Sequence, residues 1–139
     1  MAKKPAKRWM VSPRQGPKPK ASAVLQKEVT QRANKLVEEV LKPARLQAEP
    51  PDTDFNYVVN ISTKWHGSTH FYFIGTWRCP APNCLSEFFE MKFTRLEYTG
   101  EDRFSLAYMR HTGQWFTVLT DVPLGMCLTR IEHNELYWP

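Results

Sequence analysis

From Ser22 onward the apolar positions recur at three- and four-residue steps: Val24, Leu25, Val29, Ala33, Leu36, Val37, Val40 and Leu41. That spacing lays one apolar stripe along about five turns of helix. Glu28, Arg32, Lys35, Glu38 and Glu39 fall largely outside the stripe. Ser22 is placed to cap the first free backbone amides. Pro43 predicts the end of the helix, and Glu49-Pro50-Pro51 a stiff connection to the next element.

The period then drops to two. Phe55, Tyr57, Val59, Ile61, Thr63 and Trp65 alternate with Asn56, Val58, Asn60, Ser62 and Lys64, which predicts a long strand with one apolar face. His66-Gly67-Ser68-Thr69-His70 has turn chemistry, and residues 71–78 read as the returning strand. The other face of that strand, Tyr72, Ile74 and Thr76, is also fairly apolar, which predicts a central position. Cys79-Pro80-Ala81-Pro82-Asn83-Cys84 cannot remain in a ladder and predicts a loop. Further strands are predicted over 87–98, 103–110 and 114–120, separated by Thr99-Gly100-Glu101-Asp102 and Thr112-Gly113. Asp121 is placed to cap a short final helix with Pro123 in its first turn and Leu124, Cys127, Leu128 and Ile131 on its inner stripe. Leu136-Tyr137-Trp138 is expected to pack back on the body.

The order predicts an α+β fold: a long N-terminal helix on a five-stranded antiparallel meander, closed by a short C-terminal helix. On topology alone this is a helix-grip or cystatin-like arrangement. A single long helix leaves the second sheet face solvated, closed by dimerisation, or available for binding.

Charge changes the picture at one end of the chain. Lys3, Lys4, Lys7, Arg8, Arg14, Lys18 and Lys20 fall within the first twenty residues, with no acidic residue among them. Of nineteen basic side chains, the other twelve face fourteen acidic ones, so residues 21–139 carry −2 while the arm carries +7. Four prolines interrupt the arm, which reads as a basic tail, 1–20, without a fold of its own, ahead of a single domain at 21–139. Trp9, with Met10, is the apolar exception and a candidate docking anchor. No run approaches the apolar length of a membrane span, and no apolar segment succeeds the basic start as in a secretory signal, so a cytoplasmic setting is expected. Three cysteines, an odd number, argue against a closed disulfide framework. Cys79, Cys84 and Cys127 are accordingly expected as free thiols.

Three constellations merit weighing as chemistry. His66 and His70 with Cys79 and Cys84 have the letters of a zinc set, but the returning strand separates the pairs. About nine residues at about 3.3 Å each place them roughly 30 Å apart. No metal and no cofactor are assigned. Glu90-Met91-Lys92, with Asp52 upstream, has the letters of a metal-dependent nuclease core, in which carboxylates hold a divalent ion beside a lysine. A solvated strand face with an i,i+2 charge pair accounts for the same letters. Arg110-His111-Thr112-Gly113-Gln114-Trp115 is the densest polar-aromatic hairpin. There His111 could act as a general base and Arg110 could bind an anion. A tight turn needs Thr-Gly in any case, and Trp115 is expected to pack across the sheet.

The stretch from Phe93 to Trp115 resembles small uncharacterised bacterial domains. These place an Arg-Tyr or Glu-Tyr strand before an Arg-His-x-Gly-x-Trp hairpin. The matching residues are Leu96, Glu97, Tyr98, Arg110, His111, Gly113 and Trp115, over roughly a fifth of the chain. The resemblance implies a bacterial or phage-like origin and no activity.

Together these features point to a non-catalytic binding or accessory module that engages nucleic acid, or an acidic protein partner, through Lys3, Lys4, Lys7, Arg8, Trp9, Arg14, Lys18 and Lys20. Extended, the arm spans at most about 70 Å, enough to track a phosphate backbone. Trp9 and sheet aromatics such as Tyr72 are candidate stacking platforms for single strands. The alternatives are a metal-dependent hydrolase or nuclease built on Glu90, Lys92, Arg110 and His111, and a homodimeric assembly protein that closes its open sheet face on a second copy.

Overall fold

Ser22 starts the first helix as its side chain suggests, its hydroxyl accepting the Leu25 N–H at 3.1 Å. The computed structural model describes residues 18–139. Helix α1 (Ala23–Leu36) buries Val29, Ala33 and Leu36, while Val24 in its first turn overhangs the core and stays exposed. The chain does not stop before Pro43. It widens into a π-helical turn, Val37–Leu41, and resumes as α2 (Lys42–Arg45). In an unbroken α-helix the Pro43 ring would meet the carbonyl of Glu39 and its missing N–H would leave a bond unmade. The wider turn shifts the ladder by one residue, so that Lys42 N–H reaches Val37 O instead. Val37 and Leu41 remain buried through the change.

Five antiparallel strands come next, in sequence order: β1 (Tyr57–His66), β2 (His70–Arg78), β3 (Phe88–Gly100), β4 (Arg103–Met109) and β5 (Trp115–Pro123). Cross-strand rows sort the side chains onto two faces. One row runs Trp65, Phe71, Leu96, Leu106, Leu119, and the next Thr63, Phe73, Thr94, Tyr108, Phe116. Both rows face the helices. Trp65 Nε1 donates to Gln26 O at 3.2 Å, and Tyr108 meets Tyr137 edge-on. Phe71, Phe73, Leu96, Phe104 and Leu106 are fully buried there.

Irregularities in the pairing explain the departures from strict alternation. The register of β1 against β2 shifts between Val58 and Asn60. Val58 and Ile61 are therefore the buried pair. Phe55, predicted to share the apolar face, lies before β1 begins and is exposed. A second shift, between Phe73 and Ile74, leaves Phe93 without a directly opposed partner on β2.

Helix α3 (Leu124–Glu132) lays Leu124, Cys127 and Ile131 on the same sheet face as α1. Asp121 is not its cap. It sits inside β5 at φ +54°, where Thr99 Oγ1 donates to its carboxylate at 2.8 Å and Arg103 donates to its carbonyl at 3.0 Å. An Asp tolerates that left-handed backbone, and Pro123 takes the position before the helix. Leu136-Tyr137-Trp138 does pack back. Tyr137 is buried, Trp138 Nε1 donates to Ile131 O at 2.7 Å, and Arg45 lies over the Trp138 ring while donating to Pro139 O. The two helices and the C-terminal residues together cover one sheet face, more fully than a single helix would.

The loop after β2 corrects the expectation of free thiols. Cys79 and Cys84 form a disulfide with Cα atoms 6.3 Å apart, while Cys127 is free and buried. The prolines at 80 and 82 turn the chain back tightly enough to bring the two Cβ atoms within bridging range. Burial pushes the Cys127 thiol up to about 12. Among the described residues, no helix is long and apolar enough to cross a membrane.

Two outcomes are expected. Thr94, fully buried, donates to Tyr137 O at 2.9 Å. Thr94→Val keeps the shape but strands that carbonyl, so urea unfolding should lose about 1–3 kcal/mol with an unchanged slope. An unmoved midpoint would show that the bond contributes nothing. Thiol titration should find no reactive group in native oxidised protein, one after denaturation, and three after denaturation with reductant. Three in the denatured, unreduced protein would remove the disulfide.

Candidate functional site on the open sheet face

The face away from the helices is built by the residues between the core rows. One row across all five strands reads Lys64, Tyr72, Arg95, Ala107, Thr117. Flanking rows place His66, His70, Glu97 and Ser105 on one side, and Ser62, Ile74 and Lys92 on the other. Met109 pairs with Trp115 at the edge. Directly opposed residues share a face, so these side chains form one surface.

Aromatic rings and cations alternate on it. Tyr72 on β2 and Trp115 on β5 bring their ring centroids to 5.9 Å, across the small Ala107. Lys92 Nζ lies 4.2 Å from the Tyr72 centroid, and the Arg95 guanidinium carbon 4.8 Å from that of Trp115. Each pair is a cation–π contact. Arg95 Nε is buried beneath this cluster without a hydrogen-bond acceptor among the described residues. Trp115 thus packs across the sheet, and Arg95 reaches it over β4.

At the other end of the face, Glu97 organises the charge. Its carboxylate stands 3.7 Å from Lys18 Nζ and 3.8 Å from His70 Nε2. Desolvation pushes His70 below the ordinary histidine range, Glu97 opposes this in part, and Arg95, Lys18 and His66 add to the depression. The neutral ring, lying nearly parallel to Tyr72 at 6.2 Å, extends the aromatic surface. Lys18 and Lys20 are exposed, and Lys18 ties the start of the described chain to this face. Lys3, Lys4, Lys7, Arg8, Trp9 and Arg14 lie outside the described residues.

The four candidate catalytic residues do come together. Glu90, Lys92, Arg110 and His111 line one open cleft of about 390 Å³, with Met91, Met109 and Gly113. The cleft exists because β3 begins at Phe88 but pairs with β4 only from Thr94, so its first residues flank the β4–β5 hairpin. Gly113, at φ +83°, lets that hairpin turn tightly. Asp52 is not in the cleft. Among the described residues, no three His, Cys, Asp or Glu side chains group closely enough to hold a metal ion. The zinc letters are likewise dispersed, with His66 and His70 facing each other at the β1–β2 hairpin and Cys79 bonded to Cys84 beyond the far end of β2. Arg78, near that end, is raised by hydrogen bonds from its guanidinium to Tyr57 and Glu87.

One member of the site was hidden in the sequence. Lys64 reads as an ordinary strand polar residue until the register sets it beside Tyr72, whereas Glu97, already marked by the resemblance, is set beside His70. The signal was the alternation itself, counted from the right bulge.

No curated protein and no solved structure matches the chain. The model of the family described as Domain of unknown function (DUF3024) matches residues 21–139. That span starts at Ala21, a buried residue whose N–H donates to Ser68 O at 2.8 Å, and it leaves the basic arm outside. The chain belongs to the DUF3024 family.

Proposed function

We propose that this protein is a non-catalytic module that engages nucleic acid, or another polyanion, through its basic N-terminal arm. The observation that carries the reading is the segregation of charge: +7 in residues 1–20 against −2 in residues 21–139. Lys18, at 3.7 Å from Glu97, supports it further, because the arm joins the body beside the open, cation-bearing face. Phosphates that neutralise arm cations release counterions, which gives affinity without base readout.

The cleft around Glu90, Lys92, Arg110 and His111 favours a hydrolase as a second reading, since the four groups converge. Chemically it is sparse. It offers one carboxylate and one imidazole, and Lys92 is engaged with the Tyr72 ring. A metal-dependent step needs more ligands than these.

Full-length protein and residues 21–139 should melt at closely similar temperatures, because the buried core of the described chain begins at Ala21. Titrated against one labelled oligonucleotide at two salt concentrations, the full chain should bind with a steep salt dependence. The slope approaches about −6 on duplex if all seven cations meet phosphates. The truncated body should bind at least about tenfold more weakly. Equal affinity would move the site onto the folded body. No binding by either would sink the reading.

A further inference from the structure

We infer that the open sheet face holds an unpaired base against Tyr72 and Trp115, so that the nucleic acid engaged is single-stranded; this rests on the polyanion reading above. Tyr72 and Trp115 stand 5.9 Å apart on the uncovered face, and each ring bears a cation, Lys92 and Arg95 respectively, where a core ring would bear an apolar neighbour. A nucleotide supplies the two complements together, a flat π face for the ring and a phosphate for the displaced cation. Lys92 is exposed and can swing from Tyr72 to a phosphate, leaving the ring to the base. Arg95 is only partly buried, although its Nε is enclosed. Its guanidinium stays ionised, so an anion at the accessible part of the group gains a charge-assisted bond.

Charge decides among the possible occupants. The central rows carry Lys64, Lys92 and Arg95 against Glu90 and Glu97, with Arg110 on the rim. A second copy of this face would set cations against cations. The chain's own arm, with its run of lysines, would do the same. An anionic, aromatic polymer fits. In a duplex the bases are stacked inside and cannot reach these rings, whereas the bases of a single strand can. The arm enters beside Glu97, at one end of the same surface, so a strand lying across the sheet passes directly into its reach.

The test uses the full chain with three labelled probes of equal length: a thymidine oligonucleotide, its sugar-phosphate analogue without bases, and a duplex. The full chain should bind the thymidine strand about tenfold more tightly than the baseless strand. Trp115→Ala should erase that preference while leaving the salt dependence intact, and Trp115→Phe, which keeps a flat ring, should restore most of it. If Trp115→Ala loses its cooperative melting transition, Tyr72→Ala carries the same comparison from β2. Equal affinity for all three probes, unchanged by either substitution, overturns the stacking site and leaves the arm reading standing. Absence of binding to every probe overturns both. Self-association in sedimentation, abolished by Trp115→Ala, would instead give the face to a second copy.

Discussion

Alternation along β3 is the constraint on which both halves of this molecule depend. Within a short span it sends Thr94, Leu96 and Tyr98 into the core and turns Arg95 and Glu97 to the open face. As the central strand it is bonded on both sides, so neither set can change faces without breaking both flanking ladders. The inward set anchors the helical layer, most directly through Thr94 to the Tyr137 carbonyl. The outward set assembles the ring-and-cation surface. Core and candidate site are two readings of one register, and a slip that damaged either would destroy the other.

The π turn before Pro43 serves the same packing. A helix that ended at Lys42 would have left Arg45 short of the C-terminal residues. By widening instead of stopping, the chain carries Arg45 to Pro139 O, Glu135 and the face of Trp138. The C-terminal segment is thereby clamped over β2, where Gly75 leaves room for it: a Cβ at that position would lie 3.3 Å from Pro139 Cβ and 3.1 Å from Trp77 Nε1. A side chain there would have to displace one of them.

Much of this was legible in the residues because it rests on periodicity. The α1 stripe, the change from helical to strand period near residue 55, and the turn residues between strands each arise from local chemistry that tertiary contacts do not overrule. What could not be read were features that depend on a partner elsewhere. Phe55 looks like the start of the β1 apolar face, but β1 pairs with β2 only from Tyr57, so Phe55 lies outside the ladder and is exposed. Asp121 has the letters of a cap. Its partners, Thr99, Ser105 and Arg103, lie on other strands and hold it in β5. Cys79 and Cys84 share a short proline-rich loop whose closure is geometric, and an odd total count hides a pair. In the candidate site, Lys92 read as half of a charge pair with Glu90. The register hands it to Tyr72, on the neighbouring strand and outside any pattern visible in the letters.

The arm and the sheet face meet at a contact that is weak by construction. Lys18 is largely exposed, and surface pairs such as Lys18–Glu97 gain little against screening and side-chain entropy. It therefore sets where the arm departs without holding it there. A phosphate could replace Glu97 as the partner of Lys18 at small cost, and Glu97 would then be left beside a neutral His70. Repulsion of an anion by Glu97 is confined to that end of the face. At the other end Lys92 and Arg110 line one cleft with Glu90, while Arg95 stands in the row between the two carboxylates. On the single-strand proposal, the arm's cations would meet the strand at one end of the face and the rings with their sheet-borne cations would meet it at the other.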